Sequence, residues 1–358
     1  MIQRYHKRVP AVVLAAIACA GLVACSSASS SPSSSSSASG TWSPTEVLTG
    51  SNNRVSAPLF AVPKVVDPYE FAFLNPGLSV PTFVDWQLGM NEAAKFYGVR
   101  VSDTDLNLKY ENALTAYQTL AVKSPVILGT GGGAANAALL SQVTKDGASI
   151  VLIDQALDGA KGFGVNDAQA GTVGGQLLVD AAKKRVAEDW AGKSIIYLGV
   201  SAANCPQCDA RVGAGAAEAG SGLNISSKNQ FLLKPDPGTA DKAQAVVTDF
   251  LTAHPNDKIV ILGYGDGGAV GALNALKQAN RLDDALVASL GGDLSGRAAL
   301  REPSNVKAFV GALDFNPYQE GWNWVEAAIA TKLGQPFGTY SVSNVLTPAN
   351  VNQFYPKD

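Results

Sequence analysis

From Pro68 onwards the hydrophobic pattern switches back and forth between a period of two and a period near 3.6. Short apolar runs at 71–74, 100–103, 125–128, 149–153, 194–199, 230–233, 258–262, 286–290 and 306–312 read as strands. Between them, stretches at 81–97, 110–123, 134–145, 171–187, 211–219, 240–252, 268–278, 295–301 and 318–333 read as helices. Strands regularly followed by helices make parallel sheets covered on both faces, with right-handed crossovers. About 290 residues are too many for one simple core. The pattern therefore predicts an α/β protein with two doubly wound parallel sheets, one on each side of residue 170.

The chain ahead of that region has a different character. Arg4, Lys7 and Arg8 precede an apolar run from Val9 to Cys25, shorter than the roughly 20 residues of a membrane span and of signal-peptide length. Leu22-Val23-Ala24-Cys25 resembles the lipobox of bacterial lipoproteins. The resemblance implies cleavage before Cys25, acylation of Cys25, and a cell-membrane location on the extracytoplasmic face. Ser26 to Gly40 is almost entirely serine and cannot bury enough surface to order, so it reads as a disordered tether. Such a tether spans roughly 20 Å on average.

Composition removes several function classes. Charged residues make up 16% and the formal net charge is −3, which gives no basic surface for nucleic acid. Of two histidines, His6 lies in the leader, which makes a His-based triad or multi-His metal site hard to build. No Gly-x-Ser-x-Gly elbow occurs, and neither 129–133 nor 263–268 completes a nucleotide-binding glycine motif. A non-enzymatic protein without cofactor or metal is expected.

In open α/β sheets, ligands bind beyond the carboxyl ends of the strands. Those ends here carry Asn75-Pro76-Gly77, Asp154-Gln155, Asn204 to Arg211, Tyr264-Gly265-Asp266, Gly291-Gly292-Asp293 and Asp314-Phe315-Asn316. Carboxylates, one guanidinium and aromatic rings suit a polyhydroxylated solute: charged groups bond its hydroxyls and rings cover its C–H faces.

The ordered set of motifs resembles the type I periplasmic sugar-binding proteins. Val80-Pro81-Thr82-Phe83 before Gly89, Ile153-Asp154, Val165-Asn166-Asp167, Tyr264 to Leu273, Gly292-Asp293, Pro317 with Gly321, and Leu346 to Val351 carry the likeness over residues 68 to 355. It implies two lobes joined by a three-crossing hinge, with residues 67–170 and 315–342 in the first lobe and 171–314 and 343–358 in the second. It further implies a monomeric lipoprotein that binds a monosaccharide or sugar alcohol and delivers it to an ABC permease. The alternative is a sensor that reports to a membrane kinase or chemoreceptor. Phe83 falls where an aromatic covers the sugar, Asp154 on a ligand carboxylate, Arg211 on the second-lobe arginine and Asp293 on the late acidic residue. Gln155 replaces a frequent Arg, Gly265 an Asn, Phe315 a Gln and Val80 an Asn, so the pocket is more apolar than a ribose site.

Some residues carry two readings. Asp266 opens a helix, as a cap or a ligand contact. Asn75 and Asn204 serve as turn residues or ligand contacts, and Phe83 and Phe315 belong to core or pocket. Cys205 and Cys208, with no helix opening at the first Cys, form a disulfide that stiffens the loop carrying Arg211, or remain thiols; zinc would need two further ligands.

Overall fold

Successive strand residues point to opposite faces, and the central strands are apolar on both faces, so the sheet centres are buried on both sides while the edge strand Arg100–Asp105 is polar. The computed structural model describes residues 3–4, 62–64, 69–120, 126–129, 133–153, 161–336 and 344–356. The expected anchor Cys25, the serine tether, and Asp154 and Gln155 lie outside the described residues.

The elements run β1 (Gln3–Arg4), β2 (Glu70–Asn75), α1 (Pro81–Tyr97), β3 (Arg100–Asp105), α2 (Ala113–Thr119), β4 (Val126–Gly129), α3 (Gly133–Lys145), β5 (Ser149–Ile153) and β6 (Lys161–Phe163). They continue with α4 (Asp167–Glu188), β7 (Ile195–Val200), α5 (Pro206–Leu223), β8 (Gln230–Leu233), α6 (Ala240–Ala253), β9 (Lys258–Gly263), α7 (Asp266–Gln278), β10 (Ala285–Gly291) and α8 (Leu294–Arg301). Then follow β11 (Phe309–Asp314), α9 (Pro317–Lys332), β12 (Val345–Leu346) and α10 (Val351–Phe354).

One sheet has the order β3-β2-β4-β5-β6, all parallel. The other has the order β1-β8-β7-β9-β10-β11-β12, parallel except for its two outermost strands. In β2, Phe71 and Phe73 join the core under α1 and α9, while Ala72 and Leu74 join the opposite face with Tyr117 and Leu139. In β9, Val260 and Leu262 face α4, and Ile259 and Ile261 face the α6–α7 side.

The chain passes between the two units three times. It leaves the first sheet after β6 to form α4 on the second, and returns after β11 to form α9 on the first. It crosses again to β12; residues 337–343 of that passage are outside the described set.

Each unit contains helix pairs in close backbone approach. A Cβ on Gly89 of α1 would lie 1.9 Å from the Tyr318 carbonyl oxygen of α9, and one on Gly321 would lie 2.1 Å from that of Trp86. In the second unit, a Cβ on Gly171 of α4 would lie 2.0 Å from the carbonyl oxygen of Arg211 in α5. Only glycine permits such approach, where even one methyl group must displace a neighbour. Around the first crossing, the Trp86 ring lies 4.7 Å from Trp324 and 4.8 Å from Phe83. Trp86 Nε1 donates to Glu320 Oε2 at 2.7 Å, and Tyr97 and Trp322 both donate to Glu326. On the outer side, Lys64 Nζ stands 4.2 Å above the Phe96 ring.

Several boundaries differ from the expectations. The helix expected at 211–219 spans Pro206–Leu223, with Pro at its first position and the Cys205 sulfur accepting the Cys208 N–H at 3.3 Å. A helix therefore does open at the first Cys, contrary to expectation; Pro at N1 was the legible signal. The strand expected at 306–312 begins only at Phe309, because Val306 continues from a 3-10 turn at Pro303–Asn305. The helix expected at 110–123 starts as a 3-10 turn, Tyr110–Asn112, and becomes α2 at Ala113; its expected end at 121–123 is outside the described residues. The short strands β1, β6 and β12 and the helix α10 were not anticipated; β1 pairs with β8 from within the segment read as a leader.

Candidate ligand-binding site

Helices α1, α5, α7, α8 and α9 each begin just past the carboxyl end of a strand, and these strand-to-helix turns hold the candidate residues. The second unit supplies Arg211, Asp266 and Asp293, the β11–α9 passage supplies Phe315, and the first unit supplies Phe83.

Arg211 sits on the second turn of α5 and is buried. Its Nε donates to Asp167 Oδ1 at 2.7 Å and its Nη1 to the Tyr264 carbonyl oxygen at 3.3 Å. Its guanidinium carbon lies 4.9 Å from the centroid of the Phe315 ring. Asp167 is the first residue of α4, so the ion pair aligns the helix that crosses α5 with the side chain it carries. Cys205 and Cys208 are joined in a disulfide at the start of α5, one turn ahead of Arg211.

Asp293 caps α8. Its Oδ1 accepts from the backbone N–H of Ser295 at 2.8 Å, from the Ser295 hydroxyl at 2.6 Å and from the Gly296 N–H at 3.1 Å. Its Oδ2 accepts the Thr82 hydroxyl at 2.7 Å, a bond between the two units. Behind it, Asp266 Oδ2 accepts the Asp293 N–H at 2.7 Å and Oδ1 accepts the Ser289 hydroxyl at 2.5 Å. Burial, and then the charge of Asp293, hold the Asp266 carboxyl well above the usual carboxylate range. Asp266 is not a cap: Gly265 occupies that position in extended backbone, and Asp266 instead bolts the β9–α7 turn to the β10–α8 turn. At 2% exposure its carboxyl meets protein partners.

The remaining candidates divide between pocket and scaffold. Phe83 is half-buried, and its ring packs at a tilt against Trp86 at the edge of the aromatic core. Asn75 is fully buried; its Oδ1 accepts the Gly77 N–H and its Nδ2 donates to the Phe83 carbonyl oxygen, which assigns it to its own turn. Asn204 holds a positive φ of 55°, a turn geometry that Asn tolerates.

Three features were not singled out in the sequence. Tyr264 donates its hydroxyl to the Gly238 carbonyl oxygen at 2.8 Å. Burial holds that hydroxyl above its ordinary range, and the nearby Tyr110 of the first unit adds to the effect. Asn316, only 1% exposed and next to Phe315, has an Nδ2 with no hydrogen-bond partner among the described residues. A buried donor of this kind suits an oxygen of a solute or a water. Thr82 carries its signal only in position, as the residue beside Phe83. Among the described residues no cluster of His, Cys, Asp and Glu is arranged to hold a metal ion.

Residues 71–336 match a family model described as a periplasmic binding protein domain. No curated protein matches the sequence. Among solved structures, an ABC transporter periplasmic solute-binding protein from Actinobacillus succinogenes 130z with bound D-allose aligns over 80% of this chain and all of its own, at 19% identity and a TM-score of 0.66. A Bacillus halodurans C-125 solute-binding protein with bound myo-inositol aligns over 82% of this chain and 100% of its own, at 15% identity and the same score. A Mycobacterium smegmatis counterpart with bound glycerol aligns over 82% and 98% respectively, at 18% identity and again 0.66. At such identities the likeness is one of fold.

Proposed function

Because this chain belongs to the periplasmic binding protein family, we propose that it is an extracytoplasmic receptor that takes up a neutral polyhydroxylated solute, a monosaccharide or sugar alcohol, between its two units. The observation that carries this reading is the pairing of Arg211, on the helix that follows β7, with Phe315, just past the end of β11. A guanidinium held by Asp167 offers directed donors, and the rings of Phe315 and Phe83 offer apolar cover. Asp154, Gln155 and Asp293 complete the proposed set. The solved structures with bound allose, inositol and glycerol support a solute of this class.

Closure enters through differential contact. A solute that touches both units binds the closed arrangement better than the open one and shifts the population toward it. The closed form then docks on an ABC permease, and the chemistry of ATP belongs to that partner. Acylated Cys25 and the serine tether would keep the receptor beside it as a monomer.

A thermal-shift screen of pentoses, hexoses and polyols, including D-allose, myo-inositol and glycerol, tests the reading. A solute at 100 times its Kd stabilises the folded state by about 2.7 kcal/mol, a shift of several degrees. At least one compound should raise the midpoint, and Arg211→Ala should abolish that rise. A screen in which no compound does so refutes the proposal.

A further inference from the structure

Helices α1 and α8 belong to different units yet meet side by side. Thr82, in the first turn of α1, donates to Asp293 at the cap of α8, at 2.7 Å. One turn further along both helices, Asp85 Oδ2 lies 3.9 Å from Arg297 Nη2. The two contacts are rungs of one ladder, separated by three residues on α1 and four on α8.

The second-unit half of the ladder is fixed in place. Asp293 is held by the N-terminus of α8 through Oδ1 and by Asp266 through its backbone N–H. Arg297 donates to the Gly292 carbonyl oxygen at 2.6 Å and lies 4.2 Å from the Tyr355 ring. Tyr355 in turn donates to Asp314 at the β11–α9 passage. On the first unit, Trp86 fastens the same turn of α1 to Glu320. Groups already held in position lose little further freedom when they meet, so both rungs form at low entropic cost. Asp85, Asp293 and Arg297 are all buried at the seam.

We propose that Thr82–Asp293 and Asp85–Arg297 form a clasp that holds the two units together before any solute arrives, with Thr82 setting affinity without touching the solute. Apparent affinity scales with the fraction of receptor in the binding-competent state, so each rung tunes binding through that fraction. Thr82 is a positioning residue: its hydroxyl stabilises the closed arrangement by donating to a carboxylate whose other oxygen is committed to a helix end.

The clasp takes its purpose from the receptor reading, but its test needs no solute, so a blank solute screen and a failed clasp are separate results. Single-molecule energy transfer between fluorophores on Lys95→Cys in α1 and Val306→Cys in the second unit, on the full chain with the disulfide intact, reports the separation. Thr82→Val keeps the shape and removes the hydroxyl; Thr82→Ser does the reverse. The clasp requires Thr82→Val to lower the closed-to-open ratio about tenfold and Thr82→Ser to leave it near the parent value. Asp85→Asn should lower it by a smaller factor. An unchanged distribution for Thr82→Val, or an opening by Thr82→Ser alone, as loss of packing would give, overturns the proposal.

Discussion

Adding a single methyl group at Gly171 tests how the second unit aims Arg211. The new Cβ would lie 2.0 Å from the Arg211 carbonyl oxygen, 2.8 Å from its carbon and 2.9 Å from the Ala214 Cβ. Real Cβ contacts stay beyond 3.0 Å, so α5 must retreat from α4 by at least 1 Å at the residue that carries the guanidinium. Overpacking of this kind costs about 1–3 kcal/mol, partly offset by up to ~1 kcal/mol of helix propensity gained over glycine. Thermal unfolding of Gly171→Ala should therefore drop by about 3–8 °C. The displacement also strains the Arg211–Asp167 pair, so the thermal shift caused by the best compound of the solute screen should shrink with it. Gly89→Ala is the control, because its Cβ would lie 1.9 Å from the Tyr318 carbonyl oxygen in the other unit. It should lower the midpoint similarly without straining the Arg211–Asp167 pair, so its solute response should shrink less. Equal solute response in both variants would mean that the α4–α5 crossing does not aim Arg211, and an unchanged midpoint for Gly171→Ala would refute the packing argument itself.

Three further outcomes follow from the same structure. Asp314 is fully buried, and burial pushes its carboxyl up to about 6 despite bonds from Asn316 and Tyr355. Its folded pKa exceeds the unfolded value of 3.8, so the folded state holds the proton more tightly, and stability falls as pH rises from about 4 to about 6, by roughly 3 kcal/mol. Urea titrations of Asp314→Asn across that window should show a shallower slope than the parent, with Asp266 supplying the remainder; a slope equal to the parent's assigns it elsewhere. Opening the Cys205–Cys208 bridge frees a loop of about four residues, for which the chain-entropy relation gives about 2 kcal/mol, so denaturation with and without dithiothreitol should separate by that amount in the parent and coincide in Cys205→Ser/Cys208→Ser. Asp266→Asn keeps an acceptor for the Asp293 N–H and should cost under about 1 kcal/mol, whereas Asp266→Ala strands that N–H and the Ser289 hydroxyl and should cost about 2–3 kcal/mol by equilibrium denaturation.

The alternation of strand and helix was legible because the sheet centres are buried on both faces, which makes the central strands short apolar runs. The span of α1 was readable to the residue, since Pro81 opens it and Gly98, with φ of 76°, closes it. The start of α5 was missed because Cys205-Pro206 reads as a loop unless Pro is weighed as a first helical residue. The edge strands β6 and β12 have three and two residues, too few to show a period. For the proposed site, Arg211 and Asp293 were chosen from their place after strands. Their partners could not be read this way: Thr82 and Asp293 are 211 residues apart, and only the closed packing of two units joins them. The role of Asp266 stayed open between cap and ligand contact because sequence cannot tell which of two adjacent residues, Gly265 or Asp266, takes the extended conformation.

The glycine-lined crossings have a mechanical consequence. Where two helices touch main chain to main chain, there is no layer of side chains to reshuffle, and interiors at this density transmit displacement instead of absorbing it. A bend at either crossing would therefore press backbone on backbone. In the proposed closure, the two units would thus move as solid pieces.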